Sequence, residues 1–109
     1  MKLIIAIVQD QDAMRLIEAL LRKEYRATKL ASTGGFLKKG NTTLLVGVDD
    51  DKVDEVVDLI KETCQSRKQL VTPLAPVGRS VNSYTPNPVE VTVGGAAIFV
   101  MGVESFTKV

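Results

Sequence analysis

A chain of 109 residues makes one domain with a small core. Its 14 basic and 13 acidic side chains nearly cancel and are interspersed, which argues against a nucleic-acid binder. The absence of histidine and the single cysteine exclude Ser-His-Asp and Cys-His catalysis, histidine metal ligation, an internal disulfide and a thiolate zinc cluster, and make a reducing cytoplasm the natural compartment.

Leu3 to Val8 is apolar without alternation, the pattern of a strand covered on both faces. After Met1-Lys2 it resembles the start of a signal peptide. However, Gln9-Asp10-Gln11-Asp12 follows where a small-residue cleavage site would stand. No run reaches the length of a membrane-spanning helix. Asp10 to Glu24 has helical period: Ala13, Leu16, Ile17 and Leu20 form a stripe that Met14 and Leu21 widen. Asp10 and Asp12 are placed to cap this helix, and Arg22 and Lys23 sit at its negative end.

Tyr25 to Thr33 and Thr42 to Val48 read as the second and third strands. Gly47 inside the third suggests close approach by a ligand or another backbone, or else a bulge. Asp49-Asp50-Asp51 opens a second helix running to about Cys64, with Val53, Val56, Val57 and Ile60 on its stripe. Three adjacent acids also invite a metal reading, but acids here satisfy free N–H groups and the helix dipole. Cys64 lies on the apolar stripe as a small buried hydrophobe. Residues 66–88 hold all four prolines and no period, which reads as a long loop, functional or mobile. Arg79 and Tyr84 are its contact residues. Val89 to Val103 is strand-like again, interrupted by Gly94-Gly95, and Phe99 reads as core from pattern alone.

The turn between the second and third strands carries the candidate site. Thr33-Gly34-Gly35-Phe36-Leu37-Lys38-Lys39-Gly40-Asn41 has too much glycine for a strand or helix interior. Phe36 and Leu37 are apolar at a turn tip, beside two lysines, with Arg26 and Thr28 on the incoming strand. Bare backbone donors, an aromatic face, hydroxyls and cations suit a nucleotide. A Gly-Gly hairpin device with solvated lysines fits the same residues, and the spacing is not that of a Walker motif.

The order strand, helix, strand, strand, helix, loop, strand is the ferredoxin-like split β-α-β arrangement. Both helices must lie on one face of the antiparallel sheet. The other face is too apolar for water, so an oligomer built sheet to sheet is expected. A cyclic trimer is one closed solution, with ligand clefts between subunits.

Ile4 to Asp12, the run Arg26-Ala27-Thr28-Lys29-Leu30-Ala31 with Thr33-Gly34-Gly35-Phe36-Leu37, and Gly40-Asn41-Thr42-Thr43 resemble the PII-like cyclic di-AMP receptor family of Gram-positive bacteria. Pro88-Val89-Glu90-Val91, Val93-Gly94-Gly95-Ala96 and Phe99-Val100-Met101 continue the resemblance over essentially the whole chain. It implies one PII-like domain over residues 1–109, and a homotrimer of ferredoxin-like βαββαβ subunits with one cyclic di-AMP in each intersubunit cleft. By position, Arg26 and Thr28 would hold phosphate and Gly35 would donate from its backbone. Phe36 and Leu37 would pack on the ligand, and Asn41 would read an adenine edge. Gly47 would admit the second base, and Phe99 would come from the neighbouring subunit.

Two positions depart from the family. Glu24 stands where members carry Asn before the aromatic residue. The tail Phe106-Thr107-Lys108-Val109 replaces Phe-His-Gln-Phe, whose Gln contributes to the ligand; either Lys108 pairs with phosphate instead or the contact is lost. The expected mechanism is non-enzymatic: the ligand switches loop conformation, and an unknown downstream protein reads the changed surface, with no cofactor, nucleic acid or membrane involved. An ATP-binding nitrogen-type PII regulator is the second reading, although its long loop follows the second strand. A small acyl-phosphate hydrolase would need an Arg in the turn after the first strand, where Gln9-Asp10-Gln11-Asp12 stands. A structural trimer module without ligand is the remaining alternative.

Overall fold

The computed structural model describes residues 1–30, 40–71 and 88–109. Strand β1 (Lys2–Gln9) leads directly into helix α1 (Asp10–Arg22), followed by β2 (Ala27–Leu30) and β3 (Asn41–Val48). A short 3-10 turn (Asp50–Lys52) precedes α2 (Val53–Cys64), and β4 (Arg67–Val71), β5 (Val89–Val93) and β6 (Ala96–Gly102) complete the order. Strands β2-β3-β1-β6 form one antiparallel sheet in that spatial order, the ferredoxin-like arrangement. Strands β4 and β5 pair antiparallel as a separate two-stranded ribbon.

Both helices cover one face of the four-stranded sheet. Ile4, Ala6 and Val8 of β1 and Leu44 and Val46 of β3 meet Leu16 and Leu20 of α1 and Val56, Ile60 and Cys64 of α2, all at most 1% exposed. The stripe on α1 is narrower than the sequence suggests. Met14 and Leu21 are 59% and 55% exposed, because the neighbouring α2 and the sheet between them contact only one flank of the helix.

The helix starts also differ from expectation. The N-cap positions Gln9 and Asp49 make no side-chain cap hydrogen bond. Asp10 instead accepts from the Thr42 hydroxyl, Asp12 is taken by arginines, and Asp50 pairs with the Met1 amino group at 2.9 Å. That ion pair holds the Asp50 carboxyl below its ordinary range.

Helix α1 ends in a Schellman arrangement, with Glu24 N–H donating to Leu21 O and Tyr25 N–H to Leu20 O. The residue at the left-handed position is Glu24, at φ 65°. An L side chain is strained there, and Asn or Gly is the favoured occupant.

Two sequence readings change in the last third. Arg67–Val71, read as the start of a loop, is a strand, because the alternation that pairs with it lies in Val89–Val93, beyond the prolines. The strand-like stretch Val89 to Val103 divides at Gly94 and Gly95, whose φ values of 81° and 90° turn the chain from the ribbon into the main sheet. The remainder of the predicted loop, residues 72–87 with Arg79 and Tyr84, lies outside the described residues.

Candidate functional site: an open sheet face with its parts on opposite edges

The face of the sheet away from the helices has no cover among the described residues. The ladder registers place side chains there in rows. Gly47, Leu3 and Met101 form one row, Thr28, Leu45, Ile5 and Phe99 the next, and Leu30, Thr43, Ile7 and Ala97 a third. Leu3, Ile5, Ile7 and Leu45 are half-buried, while Leu30, Phe99 and Met101 stand 44%, 53% and 52% exposed. Phe99 is therefore not part of the protomer's own core, which corrects the reading from pattern alone. As the edge strand, β6 has no neighbour beyond it to cover Phe99 among the described residues.

Arg26, Thr28 and Gly47 come together at the β2 edge. Arg26 and Thr28 are exposed, and extending the β2–β3 register by one residue sets Arg26 opposite Gly47. The β1–β3 register runs without interruption from Lys2–Val48 to Gln9–Asn41, so Gly47 is not at a bulge. A Cβ built on Gly47 meets nothing within 4 Å. The described residues of the protomer have no packing need for glycine here.

Asn41 shares this face but sits at the other end of β3. Six residues of strand put it about 20 Å from Gly47. Its flanks are held by the first turn of α1. Asp10 N–H donates to Gly40 O at 2.6 Å, and the Asp10 carboxylate accepts from the Thr42 hydroxyl. Gly40 has φ 101° and needs to be glycine. Thr43, which the sequence reading passed over, has a buried hydroxyl with no hydrogen-bond partner among the described residues. Gly35, Phe36 and Leu37 lie outside the described residues.

Phe99 belongs to the opposite edge. Three strand spacings separate Thr28 from Phe99, roughly 14 Å. Lys108 is exposed in the segment after β6, which leaves the sheet beside Met1, where Val103 N–H donates to Met1 O.

Beside Gly47 opens a cleft of about 390 Å³, lined among others by Lys23, Glu24, Tyr25, Lys52 and Glu55. Glu24, the departure noted in the sequence, is thus on the rim of the site edge. Lys23 and Lys52 line the same cleft. Burial, followed by the facing Glu55 carboxylate, holds the Tyr25 phenol above its ordinary value. A second cleft, about 380 Å³, lies between the helices under Arg15, Arg22 and Arg67, away from the predicted residues. Among the described residues no acid, Cys or His group could hold a metal ion, and Asp49, Asp50 and Asp51 form no such cluster. No helix among them is long and apolar enough to cross a membrane.

The geometry defines a small ferredoxin-like domain with one apolar sheet face open. The model of the family described as cyclic-di-AMP receptor matches residues 1–109, and the chain belongs to that family. The chain is also similar to the nitrogen fixation nifHD region GlnB-like protein 1 of Methanothermococcus thermolithotrophicus. The two are 39% identical over 79 residues, covering 61% of this chain and 75% of that relative. Among solved structures, a functionally unknown protein from Pediococcus pentosaceus ATCC 25745 is 40% identical. It superposes with a TM-score of 0.77, over 99% of this chain and 96% of the other. By family and by its GlnB-like relative, the chain is a PII-like signalling protein.

Proposed function

We propose that this chain is a cytoplasmic, non-enzymatic receptor that binds cyclic di-AMP in clefts between the subunits of a homotrimer. The occupied surface is then read by a downstream protein. The observation that carries this reading is the division of the candidate residues between two sheet edges. Arg26, Thr28 and Gly47 lie at one edge and Phe99 at the other of the same sheet face, so the described residues of one protomer would cover only one side of a ligand. A second copy, laying its β6 against the first copy's β2 edge, would complete the pocket and cover the apolar face at once. Cyclic closure over three copies uses every edge equally and yields one cleft per chain.

In this reading Arg26 and Thr28 hold phosphate, one base approaches Gly47, and the other reaches Asn41. The separation of Gly47 from Asn41 suits a ligand with two bases and two phosphates. Gly35, Phe36 and Leu37 of the connecting turn contribute backbone and apolar contacts, the neighbour's Phe99 stacks, and Lys108 adds a cation.

Calorimetric titration with cyclic di-AMP, with cyclic di-GMP and ATP as controls, tests the proposal. The expected result is binding of cyclic di-AMP alone at one ligand per chain. A charge-assisted hydrogen bond is worth about 1.5–3 kcal/mol, so Arg26→Ala should weaken binding roughly tenfold or more. Asn41→Ala should also weaken it. Unchanged affinity in both variants would sink the site assignment, and binding of ATP instead would favour a nitrogen-type regulator.

A further inference from the structure

The first turn of α1 is in contact with two separate parts of the molecule. On one side, Asp10 holds Gly40 and Thr42, the two residues flanking Asn41. On the other, the same turn grips the base of the β4–β5 ribbon. Arg67, the first residue of β4, donates from Nη2 to Asp12 Oδ1 at 2.8 Å and from Nη1 to Oδ2 at 3.1 Å. Gly94, just after β5, donates its N–H to Gln9 Oε1 at 2.7 Å.

Asp12 is 1% exposed, so its carboxylate depends on these partners. Arg15 supplies another bond, at 3.0 Å. The anchor has little slack. A Cβ on Gly94 would stand 2.5 Å from Gln65 O and 2.6 Å from Arg67 Nη1, at a φ of 81° that side chains rarely adopt. Beyond the anchor, the ribbon pairs only with itself among the described residues. Leu70, Val71 and Val89 stand 70%, 41% and 49% exposed. A two-stranded ribbon standing alone is marginal in water, so its placement depends on what holds its base.

We infer that residues 9–12 form a coupling element, through which occupancy of the site beside Asn41 sets the hold on the β4–β5 ribbon. The inference rests on the receptor reading for its ligand. A ligand that immobilises Asn41 also immobilises Gly40 and Thr42, and through Asp10 it fixes the turn that presents Gln9 and Asp12 to the ribbon. The two ends of the coupling are reciprocal: whatever factor the ligand adds to the ribbon's hold, loss of that hold removes from ligand affinity. Arg67 and Gly94 therefore act on binding as positioning residues without touching the ligand.

Hydrogen exchange at residues 67–71 and 89–93, with and without cyclic di-AMP, reads the coupling in the full chain. Calorimetry on the same samples reads affinity. In the wild type, cyclic di-AMP should slow exchange in the ribbon. Arg67→Gln leaves Asp12 its Arg15 partner, and Gly94→Ala strains the Gly94–Gln9 anchor and crowds the Arg67 guanidinium as well. Each should bind cyclic di-AMP about fivefold more weakly, the low end of typical coupling. Their ribbon exchange should no longer respond to ligand. Tight binding by the wild type with ribbon exchange unchanged, or wild-type affinity in both variants, overturns the coupling and leaves the receptor reading standing. Absence of any binding by the wild type overturns the receptor reading and, with it, the coupling. In that case ligand-free exchange still judges the anchor: ribbon exchange unaltered by Arg67→Gln shows that Asp12 does not hold the ribbon.

Discussion

The two faces of the main sheet are built from the same kinds of residue and meet different fates. Beneath the helices, Ile4, Ala6, Val8, Leu44 and Val46 are at most 1% exposed. On the reverse face Leu3, Ile5, Ile7 and Leu45 alternate with them along the same strands, and Phe99 and Met101 extend the patch to the edge. Strands with apolar residues on both faces are strands with two covers. The chain supplies one cover itself. Among the described residues nothing supplies the other, so stability is concentrated on one face, and the proposed recognition falls on the other.

Truncation under the helices should have the largest effect. Leu16→Ala removes a fully buried side chain between sheet and helix, and should cost about 2–5 kcal/mol in thermal or denaturant unfolding. A cost below 1 kcal/mol would mean that the covered face is not the stabilising one.

Gly47→Val probes the open face. The built Cβ meets no atom, and a β-branched residue suits an exposed strand position, so folding should be unharmed. Affinity for cyclic di-AMP should fall roughly tenfold, about 1.4 kcal/mol, because a side chain would then stand where the proposed site admits a base. Loss of stability with intact binding would invert the comparison.

Glu24→Gly sharpens it from the rim between the two faces. Relief of the left-handed strain should add about 1 kcal/mol to stability in urea unfolding. Removing the acid from the cleft beside Gly47 should not weaken ligand binding.

The smallest effect concerns Cys64. Burial, with the nearby Asp12 charge second, pushes its thiol up to about 11 from 9.0. The folded state therefore holds this proton more tightly than the unfolded state does. Its contribution to stability is complete below about pH 9 and declines as pH rises from there toward 11. At pH 8 a thiol reagent should react slowly with the native protein and promptly once denaturant unfolds it.

Much of this architecture is legible in the residues. The spacing of Ala13, Leu16 and Leu20, and of Val56, Ile60 and Cys64, reports helices resting on one surface. The apolar runs Leu3 to Val8 and Thr42 to Val48 report strands wanted on both faces. These signals are local, because helix and strand periodicities are set by the chain's own geometry. The family was legible too, since its motifs are spread over the whole length.

What stayed hidden depends on partners distant in sequence. Arg67-Lys68-Gln69-Leu70-Val71 has no clean alternation, and becomes a strand only by pairing with Val89–Val93. Met14 and Leu21 look like core on a helical wheel, but the packing of α2 leaves them in water. Asp10 and Asp12 read as generic helix-start acids, whereas Thr42 and Arg67 give each a separate task.

The residues by themselves determined the two helices and the strands of the main sheet, that this sheet is apolar on both sides, and which side chains have nucleotide chemistry. Tertiary structure alone decided that those side chains divide between two edges of one sheet, and that a single helical turn joins the Asn41 end to the ribbon. Register and strand order are products of long-range pairing, and only they separate the suitable residues into groups at opposite edges of the sheet.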